Sequence, residues 1–337
     1  MSHAKRTTPL LLALAAVLAA LPIAGQEATD GKRHQVGTTF AVAVNLIKVP
    51  VSVFNEKGAP LPDLHAGDFR IYEDGVPQEV RNCGIDRAPV SLVLVIDTSA
   101  TVEKELKKIK QAAREFVSAL APEDRIAVIA FSDEAVRVLD WTPNGRAVHK
   151  VLRELESGVR TALYDAMFMA ADELLRGIEG RKAVILLTDG LNNQSRVSFE
   201  RAAKAIVQSQ ASCYVVSKTA MVRKDAMKQR RVVWLNSVYR RMFGDSNYIE
   251  EFFKKREAEM IELAERTGGR CLFPADYDQI GSAYGEIARE LKSKYYLTYV
   301  SNQQMAADSY HRITVEYLPP AGRLVYRQGY YHQPRSR

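Results

Sequence analysis

Two stretches of the sequence bring an aspartate to the end of an apolar run. Residues 92–101 read LVLVIDTSAT, so five apolar residues lead directly into Asp97, and hydroxyl-bearing residues follow it. Residues 185–190 read ILLTDG, in which Asp189 follows a second apolar run. Such runs are typical of strands that are buried on both faces of a sheet. A carboxylate at the end of such a strand needs a chemical reason, because burying an unpaired charge is costly.

A divalent cation would supply that reason. In an open parallel α/β sheet, ligands bind beyond the carboxyl ends of the strands. If the two strands are neighbours, Asp97 and Asp189 share one crevice with the hydroxyls that follow the first strand. These hydroxyls belong to Thr98, Ser99 and Thr101. The two carboxylates would repel each other unless a cation lay between them, and a donor set made only of oxygen favours Mg²⁺, Mn²⁺ or Ca²⁺.

The elements that must position these residues alternate along the chain from about residue 88. Strand patterns in PVSLVLVID, RIAVIAF, RKAVILLTDG and SCYVVSK are separated by stretches with helical spacing, such as EKELKKIKQAAREFVSAL. Alternating strands and helices indicate a parallel sheet with helices on both faces. We therefore predict an α/β fold over residues 88–292, with a doubly wound, mostly parallel, Rossmann-like sheet.

The segments on either side of this region have strand patterns instead. Residues 38–87 begin with FAVAVNLIKVPVSVF, in which apolar and polar residues alternate for much of the length. Residues 293–332 contain YYLTYVS, HRITVEYL and RLVYRQGYY. Three strands alone form little core. We expect the two segments to pair in a smaller β-sandwich-like domain, into which the α/β domain is inserted.

The residues from Asp97 to Thr101 resemble the DxSxS element of von Willebrand factor A domains, which belongs to their metal-ion-dependent adhesion site. Thr161 in GVRTALYDA matches the lone threonine of that family, and Asp189 in LLTDG matches its late aspartate. The resemblance implies the von Willebrand A fold over residues 88–292. The flanking segments resemble those of the von Willebrand A-related proteins common in acidobacteria.

The same resemblance implies a set of metal ligands. The set consists of Asp97, Ser99, Thr101, Thr161 and Asp189. Ser99 and Thr101 would supply hydroxyl ligands, and the aspartates would coordinate the metal directly or through water. Thr161 would enter or leave the coordination shell with the conformational state of the domain. Thr101 stands where serine is usual, so we expect binding to survive with slightly altered geometry. Taken singly, the hydroxyl residues could instead cap helices, and Asp189 before glycine could make a turn.

The N-terminus has the pattern of an export signal. Two basic residues in MSHAKRTTP precede the apolar run LLLALAAVLAALPIAG, which ends in small residues. We predict a signal peptide over residues 1–25, with a transmembrane anchor as the alternative, and therefore a periplasmic or secreted protein. No later apolar run approaches ~20 residues, so we expect no membrane span after signal cleavage. The formal net charge of +7 is diffuse, and we expect no nucleic-acid partner.

Two further features leave alternatives open. Cys83, Cys213 and Cys271 permit one disulfide or none. Residues 221–257 are a long connection in which basic clusters alternate with aromatic residues. We predict a basic helical insertion there, which is either a packed amphipathic pair with a solvated face or a partner-binding surface near the metal.

These features predict an exported, adhesion-type module rather than an enzyme. By the family resemblance, a divalent cation would capture a carboxylate from a protein partner. One alternative is a Mg²⁺-dependent hydrolase or phosphotransferase on a Rossmann-like fold, but that chemistry needs a second carboxylate where the chain has Ser99. The sequence also has no Gly-x-Ser-x-Gly elbow and no P-loop. Another alternative is a scaffold with a vestigial metal site.

Overall fold

The structure is a computed structural model that describes residues 45–100, 105–226, 237, 240–242, 244, 247–303 and 306–332. The predicted signal peptide and Thr101 lie outside these residues, as does part of the predicted basic insertion. Among the described residues, no helix has the length and apolar character needed to cross a membrane.

The described elements comprise strands and helices, which we number separately in chain order. The strands are β1 Leu46–Phe54, β2 Phe69–Glu73, β3 Val76–Gln78, β4 Asn82–Ile85, β5 Val90–Asp97, β6 Arg125–Phe131, β7 Ala135–Thr142, β8 Arg181–Thr188, β9 Ser212–Ser217, β10 Cys271–Leu272, β11 Tyr295–Val300, β12 Tyr310–Tyr317, β13 Arg323–Tyr326 and β14 Gly329–Tyr331. The helices are α1 Leu106–Ala119, α2 Gly145–Glu154, α3 Leu163–Met169, α4 Phe199–Ser209, α5 Thr219–Ala226, α6 Tyr248–Arg266 and α7 Ile280–Ser293.

A six-stranded sheet forms the centre of the α/β part. Its strands lie in the order β10-β9-β8-β5-β6-β7. All neighbouring pairs are parallel except β6 and β7, which pair antiparallel. The chain moves outward from β5 through β6 and β7, and then crosses to β8 on the other side. The predicted doubly wound, mostly parallel fold is confirmed, and the strand order reverses between β5 and β8.

Every residue of β5 is buried, because helices cover both faces of the sheet. Leu92, Leu94 and Ile96 pack in one core cluster with residues of α1 and α7. Val93 and Val95 pack in the opposite cluster with residues of α3 and α4. This two-sided burial explains why the sequence of β5 is a continuous apolar run.

Two four-stranded sheets flank the α/β part, with orders β13-β1-β11-β4 and β14-β12-β2-β3. Strands from the two ends of the chain pair antiparallel, as β1 does with β11 and β2 with β12. Side chains from both sheets share one core, including Val51, Ile71, Leu297 and Ile313. The predicted antiparallel sheets from both chain ends are therefore confirmed, whereas the domain boundaries at 38–87, 88–292 and 293–332 stay a prediction.

Two helical regions differ in detail from the sequence patterns. The stretch TALYDAMFMAADELLRG forms α3 followed by a π-helical turn at Ala170–Leu174. Residues 248–257 of the predicted insertion belong to α6, which continues without interruption to Arg266. The helix runs on because no glycine or proline lies within it, and Gly268 follows its end with a positive φ of 74°.

All three cysteines carry free thiols. Burial raises the pKa of Cys83 to about 11 and that of Cys213 to about 12. Burial also raises the pKa of Cys271. These thiols remain protonated at neutral pH, and their role in the described fold is that of small packing groups.

Candidate metal centre

The register of β5 and β8 brings the two predicted aspartates to one edge of the sheet. Ile96 on β5 is the partner of Leu187 on β8. Asp97 is the next residue on β5, and Asp189 follows the last residue of β8. Both emerge where the strand order reverses, and their exposed fractions are 0% and 1%. This is the place where open α/β sheets bind ligands.

Each aspartate uses one carboxylate oxygen to fix its own loop. The Ser99 N–H donates to Oδ1 of Asp97 over 2.8 Å, and the Leu191 N–H donates to Oδ1 of Asp189 over 3.0 Å. The other oxygen, Oδ2, of both aspartates faces the ammonium of Lys218. The local loop bonds therefore orient both carboxylates toward one point.

Thr161 lies in a loop that is tied to the loops after both aspartates. Its N–H donates to Oδ1 of Asn193 over 2.9 Å, and its carbonyl accepts from the N–H groups of Asn193 and Gln194. Gly158 lies three residues before Thr161 in this loop, and its N–H donates to the carbonyl of Thr98 over 2.9 Å. The structure thus joins the three loops that hold four of the predicted ligands.

The residues that directly precede α1 and α3 do not cap these helices with their side chains. Instead, the hydroxyl of Ser195 accepts from the N–H groups of Tyr164 and Asp165 in the first turn of α3. Thr161 and Ser99 are buried. Their burial at this edge is consistent with a role in the site.

Lys218 is the component of this site that the sequence analysis missed. Thr188 on β8 pairs with Ser217 on β9, so the next residues, Asp189 and Lys218, emerge side by side. The Lys218 Nζ lies 2.8 Å from Oδ2 of Asp97 and 3.5 Å from Oδ2 of Asp189, and its side chain is 0% exposed. The available signal was a lysine directly after the apolar run in SCYVVSK, at the carboxyl edge where both aspartates lie.

The pKa values of Lys218 and Asp97 are both shifted in this site. Burial alone would lower the pKa of Lys218, but the carboxylates of Asp189 and Asp97 raise it above the ordinary lysine value. Burial raises the pKa of Asp97, with Lys218 opposing that change and Asp189 adding to it. Lys218 is therefore an ammonium, and its single positive charge faces two acidic groups.

The described residues of the site fit a hard divalent cation. Oδ2 of Asp97 is fully buried and lies 2.8 Å from the Lys218 ammonium. A carboxylate oxygen has more than one lone pair, so this oxygen is also able to coordinate a cation. The predicted donors are carboxylates and hydroxyls, which is the ligand type of Mg²⁺ and Ca²⁺. Thr101, the remaining predicted ligand, is not among the described residues.

A second group of potential metal ligands lies in the β part. Ligand atoms of Glu73, Asp74 and His311 lie within 4.8 Å of one another. The carboxylate of Glu73 already accepts from the hydroxyls of Tyr330, over 2.6 Å, and Ser301, over 2.5 Å. His311 Nδ1 lies 2.9 Å from Oδ2 of Asp74. This cluster forms a hydrogen-bonded network that joins β2, β12 and β14.

Comparison with known families agrees with the α/β topology. Residues 92–192 match the family model described as von Willebrand factor type A domain. This region is therefore similar to von Willebrand factor type A domains. The match includes Asp97, Ser99, Thr161 and Asp189, whereas Lys218 lies beyond it.

One curated relative is protein sll0103 of Synechocystis sp., which is 34% identical over 110 residues. The aligned part covers 32% of this chain and 26% of the relative. The chain therefore spans about a quarter of the length of that relative.

Solved structures with similar folds come from several organisms. A von Willebrand factor type A protein from Catenulispora acidiphila is 12% identical, with 87% of this chain and 74% of that chain covered and a TM-score of 0.44. Proximal thread matrix protein 1 from the mussel byssus, in a form with a zinc-occupied MIDAS motif, is 16% identical, with 65% and 49% covered and a TM-score of 0.44. The domain of the type V pili tip protein Mfa5 from Porphyromonas gingivalis is 26% identical, with 31% and 38% covered and a TM-score of 0.30.

Von Willebrand A domains are typical protein-interaction modules, and they are generally not enzymes. They commonly bind a divalent metal at the adhesion site. In this chain, the region similar to these domains carries a buried pair of carboxylates, Asp97 and Asp189, at its carboxyl edge.

Proposed function

We propose that this chain is an exported protein-binding module of the adhesion type. In the proposal, a divalent cation, Mg²⁺, Mn²⁺ or Ca²⁺, is held at the carboxyl edge of the sheet and captures an aspartate or glutamate carboxylate of a protein partner. The residues that would hold the cation are Asp97, Ser99, Thr101, Thr161 and Asp189. When bound, the cation would supply a directional ionic contact to the partner carboxylate.

The observation that carries this proposal is the pairing of two buried carboxylates at the point where the strand order reverses. Asp97 and Asp189 are buried on neighbouring strands, and their Oδ2 atoms face the same cationic group. Burying two like charges together is unfavourable unless a cation compensates them. Oδ2 of Asp97 takes no part in the loop hydrogen bond, which uses Oδ1, and this supports a function for Oδ2 in holding a cation.

The surface beside the site supports recognition of a protein. Val159 lies in the loop that leads to Thr161, and it is 75% exposed. Its N–H donates to Oδ2 of Asp133 over 2.9 Å, so the loop presents this apolar side chain from a fixed backbone. An exposed apolar group beside an ionic contact is the usual composition of a protein-binding surface. Export rests on the sequence pattern of residues 1–25.

The test is divalent-dependent thermal stabilisation of the full chain. A ligand that binds only the folded state raises the melting temperature as its concentration increases. We expect Mg²⁺ to stabilise the wild type, and Asp97→Asn to abolish that response. Asp124→Asn is the matched control, because Asp124 is also a buried aspartate but caps the opposite edge, where it accepts from the Val90 N–H over 2.8 Å. A wild type whose melting temperature ignores Mg²⁺, Mn²⁺ and Ca²⁺ would refute the metal-dependent proposal.

One observation favours a second candidate, a scaffold with a vestigial metal site. The ammonium of Lys218 already supplies a positive charge to both carboxylates. In that case the module would bind its partner equally well in chelator and in Mg²⁺. Partner capture from the envelope fraction of the native host, performed in parallel with Mg²⁺ and with chelator, separates the two candidates.

A further inference from the structure

We propose that Lys218 is a tethered cation that neutralises the carboxylate pair when no divalent ion is bound, and that a divalent ion must displace it. This inference rests on the proposed function, because it concerns the regulation of the same site. Its basis is that one ammonium contacts both carboxylates, 2.8 Å from Oδ2 of Asp97 and 3.5 Å from Oδ2 of Asp189. The loop hydrogen bonds from the Ser99 and Leu191 N–H groups use the other carboxylate oxygens, Oδ1.

The backbone of Lys218 is fixed, so only its side chain can leave the site. The Lys218 N–H donates to the carbonyl of Thr188 over 2.9 Å, directly after the paired residues Thr188 and Ser217. The Met221 and Val222 N–H groups donate to the carbonyl of Lys218, which holds it at the start of α5. A lysine ammonium on a flexible four-carbon stem can move away while this backbone remains in place.

The ammonium and a divalent ion exclude each other electrostatically. With Lys218 in place, one positive charge faces Asp97 and Asp189. A divalent ion alone would balance both carboxylates. The two cations together would place an excess of positive charge in a buried space, where like charges repel strongly. Binding of the ion therefore requires the ammonium to move.

The structure offers the displaced ammonium an acidic neighbour. The hydroxyl of Thr219, the residue after Lys218, donates to the carboxylate of Glu257 on α6. Glu257 is partly exposed, whereas Asp97 and Asp189 are buried. Glu257 therefore places a negative charge, less buried than the carboxylate pair, beside the residue that follows Lys218. The site would then bind a partner carboxylate only at ion concentrations that displace the lysine.

The first test measures Mn²⁺ binding by calorimetry in the full chain. We expect Lys218→Met, which keeps much of the side-chain volume and removes the charge, to bind Mn²⁺ about tenfold more tightly than the wild type. Lys182→Met is the matched control, because Lys182 is a partly buried lysine at the amino end of β8. Its removal should leave the Mn²⁺ affinity unchanged.

The outcomes separate this inference from the proposed function. Equal Mn²⁺ affinity in the wild type and in Lys218→Met would overturn the role of Lys218 and leave the metal-binding proposal standing. Failure of both proteins to bind Mn²⁺, Mg²⁺ or Ca²⁺ would overturn both proposals and favour the scaffold candidate. Tighter binding by Lys218→Met alone would support both.

A second measurement uses the wild type, so it does not depend on the folding of a variant. Acetic anhydride labels accessible lysine amines, and mass spectrometry measures the extent at each position. We expect Lys218, which is 0% exposed, to react slowly in chelator and about tenfold faster in Mg²⁺, because displacement exposes its amine. Lys294, which is 1% exposed and paired with Glu290, should stay protected in both conditions. Lys218 that reacts readily in chelator, or that stays protected while calorimetry shows bound Mg²⁺, would contradict displacement.

Discussion

Glu290 and Lys294 form a buried ion pair one turn apart on α7, with Oε1 3.1 Å from Nζ. The same carboxylate accepts from Arg270 Nε over 2.6 Å, from the Tyr214 hydroxyl over 3.0 Å and from the Ser52 hydroxyl over 3.3 Å. Ser52 lies on β1 and Tyr214 on β9. One carboxylate therefore connects the β part, the central sheet and the helix that leads back to the β part.

Replacing this carboxylate should destabilise the whole fold. In Glu290→Gln, Lys294 would remain buried without its anionic partner, and we expect a loss of about 3 kcal/mol in the free energy of unfolding. Urea denaturation measures the change. Glu286→Gln is the control, because its carboxylate lies 3.7 Å from the same Arg270 but is 40% exposed. That exposed pair should contribute less than about 1 kcal/mol.

The contribution of Glu290 should also depend on pH. Burial alone would raise its pKa, but Lys294 and Arg270 overcome burial and hold the pKa below its ordinary value. A carboxyl with a lowered folded pKa stabilises the protein above its unfolded pKa of about 4.3, and this stabilisation is lost as the pH falls through the folded value. The stability difference between wild type and Glu290→Gln should be constant near neutral pH and shrink below about pH 4. A difference that stays constant down to pH 3 would contradict this assignment.

Lys182 should produce a pH dependence of stability in the alkaline range, with the same sign. Burial and the nearby Arg327 lower the pKa of Lys182 to about 8. Between that value and the unfolded pKa of about 10.4, the unfolded chain binds a proton that the folded chain does not, so stability rises with pH. We expect the melting temperature of the wild type to rise relative to that of Lys182→Met between about pH 8 and about pH 10. The exposed Lys150→Met variant controls for the loss of one positive charge.

Gly269 should not tolerate a side chain. A Cβ at this position would overlap the backbone of Cys213, including its carbonyl oxygen. Since backbone atoms of a central strand cannot move aside cheaply, we expect Gly269→Ala to cost at least about 2 kcal/mol. Gly281→Ala on α7 is the contrasting variant, because its Cβ would lie 3.5 Å from Oε2 of Glu115 and alanine favours helix by up to about 1 kcal/mol. Thermal denaturation should therefore move in opposite directions for the two changes.

Asn193 should matter both for stability and for the response to metal. Its side chain accepts from the Thr161 N–H, which ties the Thr161 loop to the loop after Asp189. Removing one such bond in Asn193→Ala should cost about 1 kcal/mol. If Thr161 belongs to the metal site, the same variant should also show a smaller rise in melting temperature with Mg²⁺. Gln194→Ala should keep the full Mg²⁺ response, because the Gln194 side chain accepts from the exposed Arg160 and not from Thr161.

Much of the fold was predictable because its signals are local. Continuous apolar runs identified β5 and β8 as buried strands, and their parallel arrangement placed Asp97 and Asp189 at one edge. The pairing of β1 with β11 followed from two incomplete β patterns at either end of the chain. The spacing of apolar residues along the chain, and the need to bury them, are enough to predict these features.

The interior of the site was less predictable because its contacts are not local. Lys218 belongs to the site only because Thr188 and Ser217 are register partners, and no pattern within SCYVVSK fixes that register. In the same way, Ser195 caps α3 from another loop, whereas the sequence offered the adjacent Thr161 for that role. Hydrogen bonds between loops depend on the final fold. Sequence patterns therefore predict hydrogen-bond partners that are close along the chain, such as Thr161 for α3.

Ile85 on β4 and Tyr295 on β11 are register partners, one just before the α/β part and the other just after it. The chain thus leaves and re-enters the β part through adjoining strands, as it would for an ordinary hairpin loop. A pulling force applied between β1 and β14 would pass through the two antiparallel sheets, and the carboxylate pair would lie off the line of tension. Under the proposed function, the site would then stay bound to its partner while the two antiparallel sheets carry the force.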